Sequence, residues 1–409
     1  MTADANEQTP LAVRLAAWLL ALATVPLLIL GGLTTSYRAG MADPVWPTEP
    51  WYIVVNGAMW KEPDRGFILE HTHRFAAWTV GFLTLGLVAA AWWCGPNKKS
   101  RLLAFASLVL LVASFGWFHG QMMGVQKAAA ASLDGSIPWP NASLSTMLFF
   151  LGSTAILLVR HLRSDQPLRF IRTGASLLLL TVMVQGLLGG LRVLLDKQLG
   201  LKATLGVELS QLHGVLAQVV FASMLALAAM TAKRCVGDHL SPFERVRLGR
   251  ISLALVFATF LQLVWAVWVR HAPTPLAQRL HFLTAFAVAA LIAWLAVRLY
   301  SNTDGSRLLG RTMGFLIAVV VLQVTLGVEA WMGKFAATGP EATVPPMYRS
   351  LTTSSVAIRT GHQVLGAILL GTATLLLVRI RRGPLPMGHV AENRRISSED
   401  GVREASLSL

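Results

Sequence analysis

Ten apolar segments, each long enough to cross a bilayer, follow one another along the chain and constrain its fold more than any other feature. They lie at 12–34, 74–94, 102–124, 144–160, 173–194, 211–232, 251–270, 280–299, 312–333 and 360–380. A backbone inside lipid must satisfy its own hydrogen bonds, and a helix of about 20 residues does so while it spans the hydrocarbon. The sequence therefore predicts an all-α polytopic membrane protein with about ten transmembrane helices.

The distribution of charge indicates membrane topology rather than nucleic-acid binding. Charged residues make up 13% of the chain, yet its net charge is +15. If the N-terminus is inside, 22 of the 35 Lys and Arg fall in inside segments, most clearly 95–101, 160–172 and 234–250. Such an excess is typical of cytoplasmic loops. We therefore expect a multi-pass protein of the plasma (inner) membrane, in contact with lipid, with both termini cytoplasmic and no nucleic-acid partner.

A repeat runs through the predicted helical hairpins. The first helix of a pair ends in a Gln followed by small residues, and the second helix opens with a His. Three pairs share this pattern and a fourth varies it: 184–195 with 211–221, 261–271 with 279–288, 322–333 with 359–370, and 28–40 with 67–78. Such duplication predicts two pseudo-symmetric four-helix bundles.

One further hairpin, 101–163, does not follow the repeat. Its only imidazole within the membrane is His119, on its first helix. We interpret this hairpin as an insertion into an eight-helix plan. The predicted units are 1–100 (first hairpin of the N-terminal half), 101–171 (inserted hairpin), 172–233 (second hairpin of that half), 250–382 (C-terminal four-helix half) and 383–409 (disordered cytoplasmic tail).

The repeat places four histidines at equivalent positions near the outer ends of their helices: His73, His213, His281 and His362. An ionisable side chain inside a membrane is costly and indicates function by default. A single such histidine fits a structural hydrogen bond as well as a ligand role, but four at one depth favour ligands. Imidazoles that reach inward from facing helices suit axial ligation of haem iron, and four of them make two haem sites.

Several arginines lie at outer helix ends, against the charge trend. They are Arg38, Arg74, Arg192, Arg270, Arg279 and Arg359. Arginine binds carboxylates in a bidentate manner, which suits haem propionates. Snorkelling towards lipid phosphate is the simpler explanation for any one of them, whereas propionate binding is favoured for the group.

Glu70 is three residues from His73 and would share its helix face. A carboxylate beside a haem ligand can move protons, whereas one at a helix N-terminus can simply complement the helix dipole. Both roles fit the physics of the residue alone. His71 cannot share a face with His73, so we expect it at the rim of the site.

The motif E-x-x-H-R at 70–74, the "LGGLT" of 30–34 and the Trp-Pro loop at 45–51 together resemble the haem A synthase family. The segments 185–193, 213–218 and 359–370 are similar to the same family. This resemblance covers about 12–94 and 172–380.

The resemblance implies oxidation of the C8 methyl of haem O to a formyl group, with haem b as cofactor, for terminal oxidase biogenesis. His73 and His213 would flank the substrate haem, and His281 and His362 would ligate haem b. Glu70 would be the catalytic carboxylate. A haem O synthase and an electron donor would be partners, and no other metal would be required.

The sequence departs from the family pattern in two places. The segment 36–47 lacks the outer-loop cysteine pair of many relatives, and the inserted hairpin raises the helix count to ten. Two other functions remain open: a bis-His membrane cytochrome b that transfers electrons, and a non-catalytic haem-handling factor for oxidase assembly. A cytochrome b would not require Glu70, whereas the inserted hairpin and the basic tail would suit the assembly factor.

Overall fold

A computed structural model describes most of the chain as ten α-helices. The described residues are 9–43, 45–48, 64–94, 98–131, 140–164, 168–198, 203–232, 240–301, 307–336, 343 and 352–382. The helices are α1 (Leu11–Ser36), α2 (Arg65–Trp93), α3 (Lys98–Ala131), α4 (Asn141–Leu162), α5 (Arg169–Gln198), α6 (Ala203–Thr231), α7 (Pro242–His271), α8 (Pro275–Tyr300), α9 (Arg307–Phe335) and α10 (Thr353–Arg381). All ten are long and apolar enough to cross a membrane. The predicted all-α, multi-pass architecture is confirmed.

Most helices begin earlier than the apolar segments predict. The largest differences, nine residues each, are in α2, which begins at Arg65 instead of residue 74, and in α7, which begins at Pro242 instead of residue 251. Side-chain caps explain several of these early starts: Asp64, Ser241, Thr274 and Thr352 each accept a backbone N–H of the first turn at 2.7–3.2 Å. Capping satisfies donors that the helix leaves unpaired, so a polar first turn can precede the apolar stretch. Hydropathy detects only the apolar part.

Eight of the helices form two rings of four. In the first ring α1 contacts α2, α2 contacts α5, α5 contacts α6, and α6 returns to α1. In the second ring α7, α8, α9 and α10 follow one another in the same cyclic order. Each ring buries its own apolar cluster. We refer to the rings as the first half and the second half.

The helices α3 and α4 pack against each other outside the first half. Helix α3 contacts α2, and α4 contacts α5. Ala104, Leu108 and Leu158 join the core cluster of the first half. The hairpin is therefore attached to the first half along one side.

The two halves meet chiefly through α10, which contacts both α6 and α1. Close approach depends on Gly371, since a Cβ there would lie 2.4 Å from Leu225 Cδ1. Arg270 adds a polar link, because it donates to the Gly32 carbonyl at 3.2 Å and to Ser36 Oγ at 2.8 Å. Ser36 Oγ in turn lies 3.0 Å from Thr360 Oγ1. These contacts tie α1 to α7 and α10.

Arg172 is a fully buried cation near the start of α5. Its Nε donates to the Ala91 carbonyl at 3.1 Å, and its Nη2 donates to the Cys94 carbonyl at 2.7 Å. The last carbonyls of a helix have no partner within the helix and carry partial negative charge. Arg172 thus closes the C-terminal end of α2.

Candidate functional site

All four repeat histidines lie at one end of the bundle. We call this the histidine end: α1, α5, α7 and α9 finish there, and α2, α6, α8 and α10 begin there. His73, His213, His281 and His362 lie about two to three turns into these second helices. Each of the four imidazoles is half-buried.

Three of the imidazoles pack against a glycine of the preceding helix. A Cβ would lie 3.0 Å from the ring Cε1 at Gly31 (His73), 3.1 Å at Gly189 (His213) and 2.8 Å at Gly327 (His362). The distance at Gly327 is shorter than real Cβ atoms show, and the other two are tighter than most Cβ contacts, so a larger residue at any of the three would have to displace the ring.

The same spacing recurs in all four hairpins. Each hairpin has a small residue, Gly or Ala, on its first helix. The residue four positions before it has a backbone carbonyl that interacts with the imidazole. We call each such set a histidine seat, and the four seats are Leu27–Gly31–His73, Gln185–Gly189–His213, Gln262–Ala266–His281 and Gln323–Gly327–His362. The sequence showed the Gln and the small residues, but not that the ring packs against the small residue, as it does at Gly31, Gly189 and Gly327.

The seat orients the imidazole. Nδ1 of His362 lies 3.1 Å from the Gln323 carbonyl oxygen. A carbonyl oxygen only accepts, so Nδ1 carries the proton and Nε2 keeps its lone pair. A hydrogen bond to the second ring nitrogen is the usual way in which a protein orients a metal-binding histidine.

The seats differ in detail. The side-chain Nε2 of Gln185 lies 3.1 Å from Nδ1 of His213, and that of Gln262 lies 3.0 Å from Nδ1 of His281. Nδ1 of His73 is buried, and its interaction with the Leu27 carbonyl falls short of hydrogen-bond geometry. The first seat is thus the least well satisfied.

The structure brings the histidines together in pairs, one pair in each half. The ring centroids of His281 and His362 are 6.3 Å apart, and their planes are 80° apart. A metal–imidazole bond is about 2 Å long and the nitrogen is about 1 Å from its ring centroid, so two axial imidazoles on one metal ion have centroids about 6 Å apart. His73 and His213 are close enough to interact electrostatically.

The helix segments around these pairs are only partly buried. Four stretches at the level of the histidines contain no buried residue: 181–189, 211–217, 278–287 and 320–336. Cores of folded proteins are normally close-packed. A half-buried imidazole on such partly accessible segments fits a ligand site better than a close-packed core position.

Among the described residues, no three His, Cys, Asp or Glu side chains converge as metal ligands. A site made of protein ligands alone, such as a structural zinc site, requires such a group. Haem differs, because the macrocycle supplies four of the iron ligands and the protein supplies one or two axial ones. The paired imidazoles therefore fit haem better than a bare ion.

Glu70 lies within a buried polar network rather than alone beside His73. Its Oε1 accepts from Arg74 Nη2 at 2.7 Å, and its Oε2 accepts from the Asp43 N–H at 2.9 Å. Arg74 also donates to the carbonyls of Val45 (2.7 Å) and Asp43 (3.1 Å). The described contacts of Arg74 thus hold the chain that follows α1, a role that sequence reasoning missed.

His71 does not lie at the rim as expected. It is buried, and its Nε2 lies 2.8 Å from Asp43 Oδ2. The early start of α2 explains the difference, because it places residue 71 inside the helix and against the chain after α1. Burial on its own would raise the pKa of the Asp43 carboxyl. The hydrogen bonds from His71 and the Val45 N–H, with the charge of Arg74, outweigh that effect and hold this pKa below its usual value.

The predicted arginines separate into two groups. Arg38 and Arg279 are exposed, whereas Arg192 and Arg359 are half-buried. Arg192 interacts electrostatically with His213, and its Nη1 lies 2.9 Å from the position of a Cβ at Gly40. Arg359 interacts with Arg270, which itself interacts with His362. The half-buried group is therefore the one near the histidine pairs.

The remaining histidines of the histidine end have separate surroundings. His271 is half-buried and interacts with Arg192, so it belongs to this cationic region. His119 lies among aromatic rings, 5.4 Å from Trp78 and 6.4 Å from both Trp46 and Phe115, measured between centroids.

Comparison with known proteins adds no relative to this picture. The chain matches no family model, no curated protein and no solved structure. The functional argument therefore depends on the four histidine seats and their surroundings.

Proposed function

We propose that this protein is a haem-binding membrane oxidoreductase of the haem A synthase type. In this proposal it oxidises the C8 methyl of haem O to a formyl group, with haem b as cofactor. The observation that carries it is the repeated placement of one half-buried histidine in each of four hairpins, at the same end of the bundle and each beside a backbone carbonyl of the preceding helix. The resemblance of the segments around these seats to the haem A synthase family supplies the reaction.

The two pairs take different haems. His73 and His213 would hold the substrate haem in the first half, and His281 and His362 would hold haem b in the second half. The spacing of His281 and His362 supports this, since the 6.3 Å between their ring centroids is close to what two imidazoles that hold one iron would need. Haem b, when bound, supplies redox chemistry that side chains lack.

The chain's own contribution is to orient these groups and to handle charge. At the fourth seat the Gln323 carbonyl holds the proton on Nδ1 of His362 and so would leave Nε2 for the iron. Arg192, which interacts with His213, is well placed to bind a propionate, and Arg359 lies near Arg270, which interacts with His362; both are partly shielded from solvent. Arg38 and Arg279, which are exposed, would contribute less.

Glu70 is the proposed proton-handling group. It shares a helix face with His73, and both of its oxygens accept hydrogen bonds. A proton taken up at Oε1 would replace the hydrogen bond from Arg74. Proton uptake would therefore be coupled to release of Arg74 from the carboxylate.

The same contact also fits the two alternative functions. A carboxylate held by Arg74 and by the Asp43 N–H also has a purely structural role, and a bis-His cytochrome b would need no more than that. A non-catalytic haem carrier for oxidase assembly fits it too. The topology proposed with either function places the histidine end outside and both termini in the cytoplasm, from the charge distribution.

The test is to produce the protein together with a haem O synthase, extract the bound haems and identify them by chromatography and mass spectrometry. We expect haem A or its hydroxymethyl precursor, and loss of both in His73→Ala and His213→Ala. Glu70→Gln should keep bound haem and lose product. Glu329→Gln, which changes an exposed carboxylate of α9, is the matched control.

Arg74→Ala separates chemistry from structure. If it keeps product while Glu70→Gln loses it, the carboxylate itself acts in the reaction. Haem b alone in the wild-type protein, despite available haem O and reductant, would instead favour the cytochrome or carrier.

A further inference from the structure

The hairpin α3–α4 contacts the histidine end of the first half through residues 45–48, which we call the Trp46 segment. The Trp46 N–H donates to Oε1 of Gln126, on α3, at 3.1 Å. The Trp46 side chain packs with Phe118, Met122 and Met147 of the hairpin and with Leu187 of α5.

The Trp46 ring lies directly on α5. A Cβ at Gly190 would be 1.9 Å from Trp46 Cε2, so no larger residue fits under the ring. The neighbouring Gly189 receives the ring of His213. Two adjacent glycines of one helix thus receive an indole from the Trp46 segment and an imidazole from a histidine seat.

The segment is held from both flanks. On the side of the first half, Arg74 donates to the Val45 carbonyl at 2.7 Å. On the side of the hairpin, Gln126 accepts from Trp46, and His119 places its ring edge-on to Trp46 at 6.4 Å. His119 also contacts Trp78 of α2, so the hairpin contacts both the segment and the helix that carries His73.

The side-chain amide nitrogen of Gln126 takes no part in these contacts. Its Nε2 is buried and has no hydrogen-bond partner among the described residues. Buried amide donors are normally satisfied, and an unsatisfied one in a native structure indicates a missing ligand or water. Since its Oε1 already accepts from the Trp46 N–H, the Nε2 of the same amide is free to donate to a ligand or water beside the Trp46 segment.

From these contacts we propose that the hairpin α3–α4 forms part of the haem site of the first half. Gln126 positions Trp46 beside the His213 seat, where the indole forms one wall of the space for the haem held by His73 and His213. This inference rests on the proposed function for the identity of the ligand. Gln126 and His119 are positioning residues, because they act through Trp46.

The experiment compares Gln126→Leu, in α3, with Gly190→Ala, in α5. Both should displace Trp46 and lower the haem content of the first half about tenfold, as loss of an outer-shell partner does, while haem in the second half stays unchanged. Gln121→Leu, an exposed glutamine of the same helix, is the control. Gln126→Glu keeps the acceptor for the Trp46 N–H and should restore binding.

The double variant distinguishes positioning from general damage. If both changes act through Trp46, Gln126→Leu with Gly190→Ala lowers first-half haem no further than either change alone. Additive losses, or equal losses in both halves, would overturn the proposal. A His281→Ala background, which removes the second pair, assigns the remaining spectrum to the first half.

A second readout does not depend on haem. Thr48 is buried, so Thr48→Cys in a chain with Cys94 and Cys235 replaced by Ser should react slowly with a maleimide. Gln126→Leu and Gly190→Ala should each accelerate that reaction several-fold. Unchanged labelling overturns the positioning role, and faster labelling with normal first-half haem overturns the claim that the segment bounds the site.

A wild-type protein without haem would overturn the proposed function, and labelling would then decide the positioning role alone.

Discussion

A single hydrogen atom at Gly327 decides whether His362 can lie against α9. A Cβ at this position would be 2.8 Å from the ring Cε1, closer than atoms in contact allow. We expect Gly327→Val to displace the imidazole and to lower haem binding in the second half about tenfold, the effect of losing a ligand's supporting group. The haem-to-protein ratio and the reduced-minus-oxidised absorbance spectrum measure this loss.

The matched control is Gly333→Val, on the same helix, where a Cβ would have no described atom within 4 Å. It changes the same residue type and should leave haem binding as it is. Equal losses in the two variants would show that valine harms α9 in general, and the seat would lose its support.

At the residue scale, the sequence predicts which histidines matter but not how each is held. His73, His213, His281 and His362 stand out because the pattern repeats. Asp43 does not, since its partners Glu70 and His71 lie 27 and 28 positions away. Networks of this kind depend on how a connection folds back on a helix, which no short pattern records.

At the scale of single elements, the C-terminal end of α2 depends on one cation from α5. Arg172→Met would keep most of the side-chain volume and leave the Ala91 and Cys94 carbonyls without this donor. We expect the free energy of unfolding to fall by about 3 kcal/mol, because hydrogen bonds from charged groups are strong and buried unpaired carbonyls are costly. A lower Tm of the detergent-solubilised protein would show it.

Arg163→Met is the comparison, since Arg163 is exposed at the end of the neighbouring helix α4. Its Tm should match that of the parent protein. If Arg172→Met also unfolded at the parent temperature, the cap would have no measurable effect on stability.

The positions of the helices were predictable and their ends were not. Apolar length predicts the spans, because lipid imposes it. The polar first turns of α2 and α7 were missed, since a cap at Asp64 or Ser241 extends a helix without adding hydropathy. This difference moved His71 from the rim into a buried pair.

At the scale of the whole molecule, the two halves depend on close contact between α6 and α10. Gly371→Leu would place a side chain where a Cβ already lies 2.4 Å from Leu225 and 3.2 Å from Phe221. Overpacking of this kind costs about 1–3 kcal/mol. We therefore expect the halves to associate about tenfold less well or worse.

Association is measured by cutting the chain within 233–239 and producing both parts together with a tag on one. The untagged part should copurify in the parent and be largely lost with Gly371→Leu. Gly152→Leu, on α4 where a Cβ meets nothing within 4 Å, should not change recovery. Full recovery with Gly371→Leu would mean that other contacts hold the halves together.

Two rings of four helices were predictable at this scale, because the repeat recurs in four hairpins. How the rings meet was not, since α10 contacts α6 and α1 through small residues and a cross-link from Arg270 that carry no periodic signal. The place of the inserted hairpin beside the first half follows from its contacts alone.

The hairpin also sets an order of events during synthesis. His73 leaves the ribosome about 140 residues before His213, a delay on the order of 10 s at typical elongation rates. Gln126 and His119 are made within that interval, before α5 exists. The Trp46 segment can therefore bond to α3 before His213 has been synthesised. The surface against which α5 packs is then already formed when α5 enters the membrane.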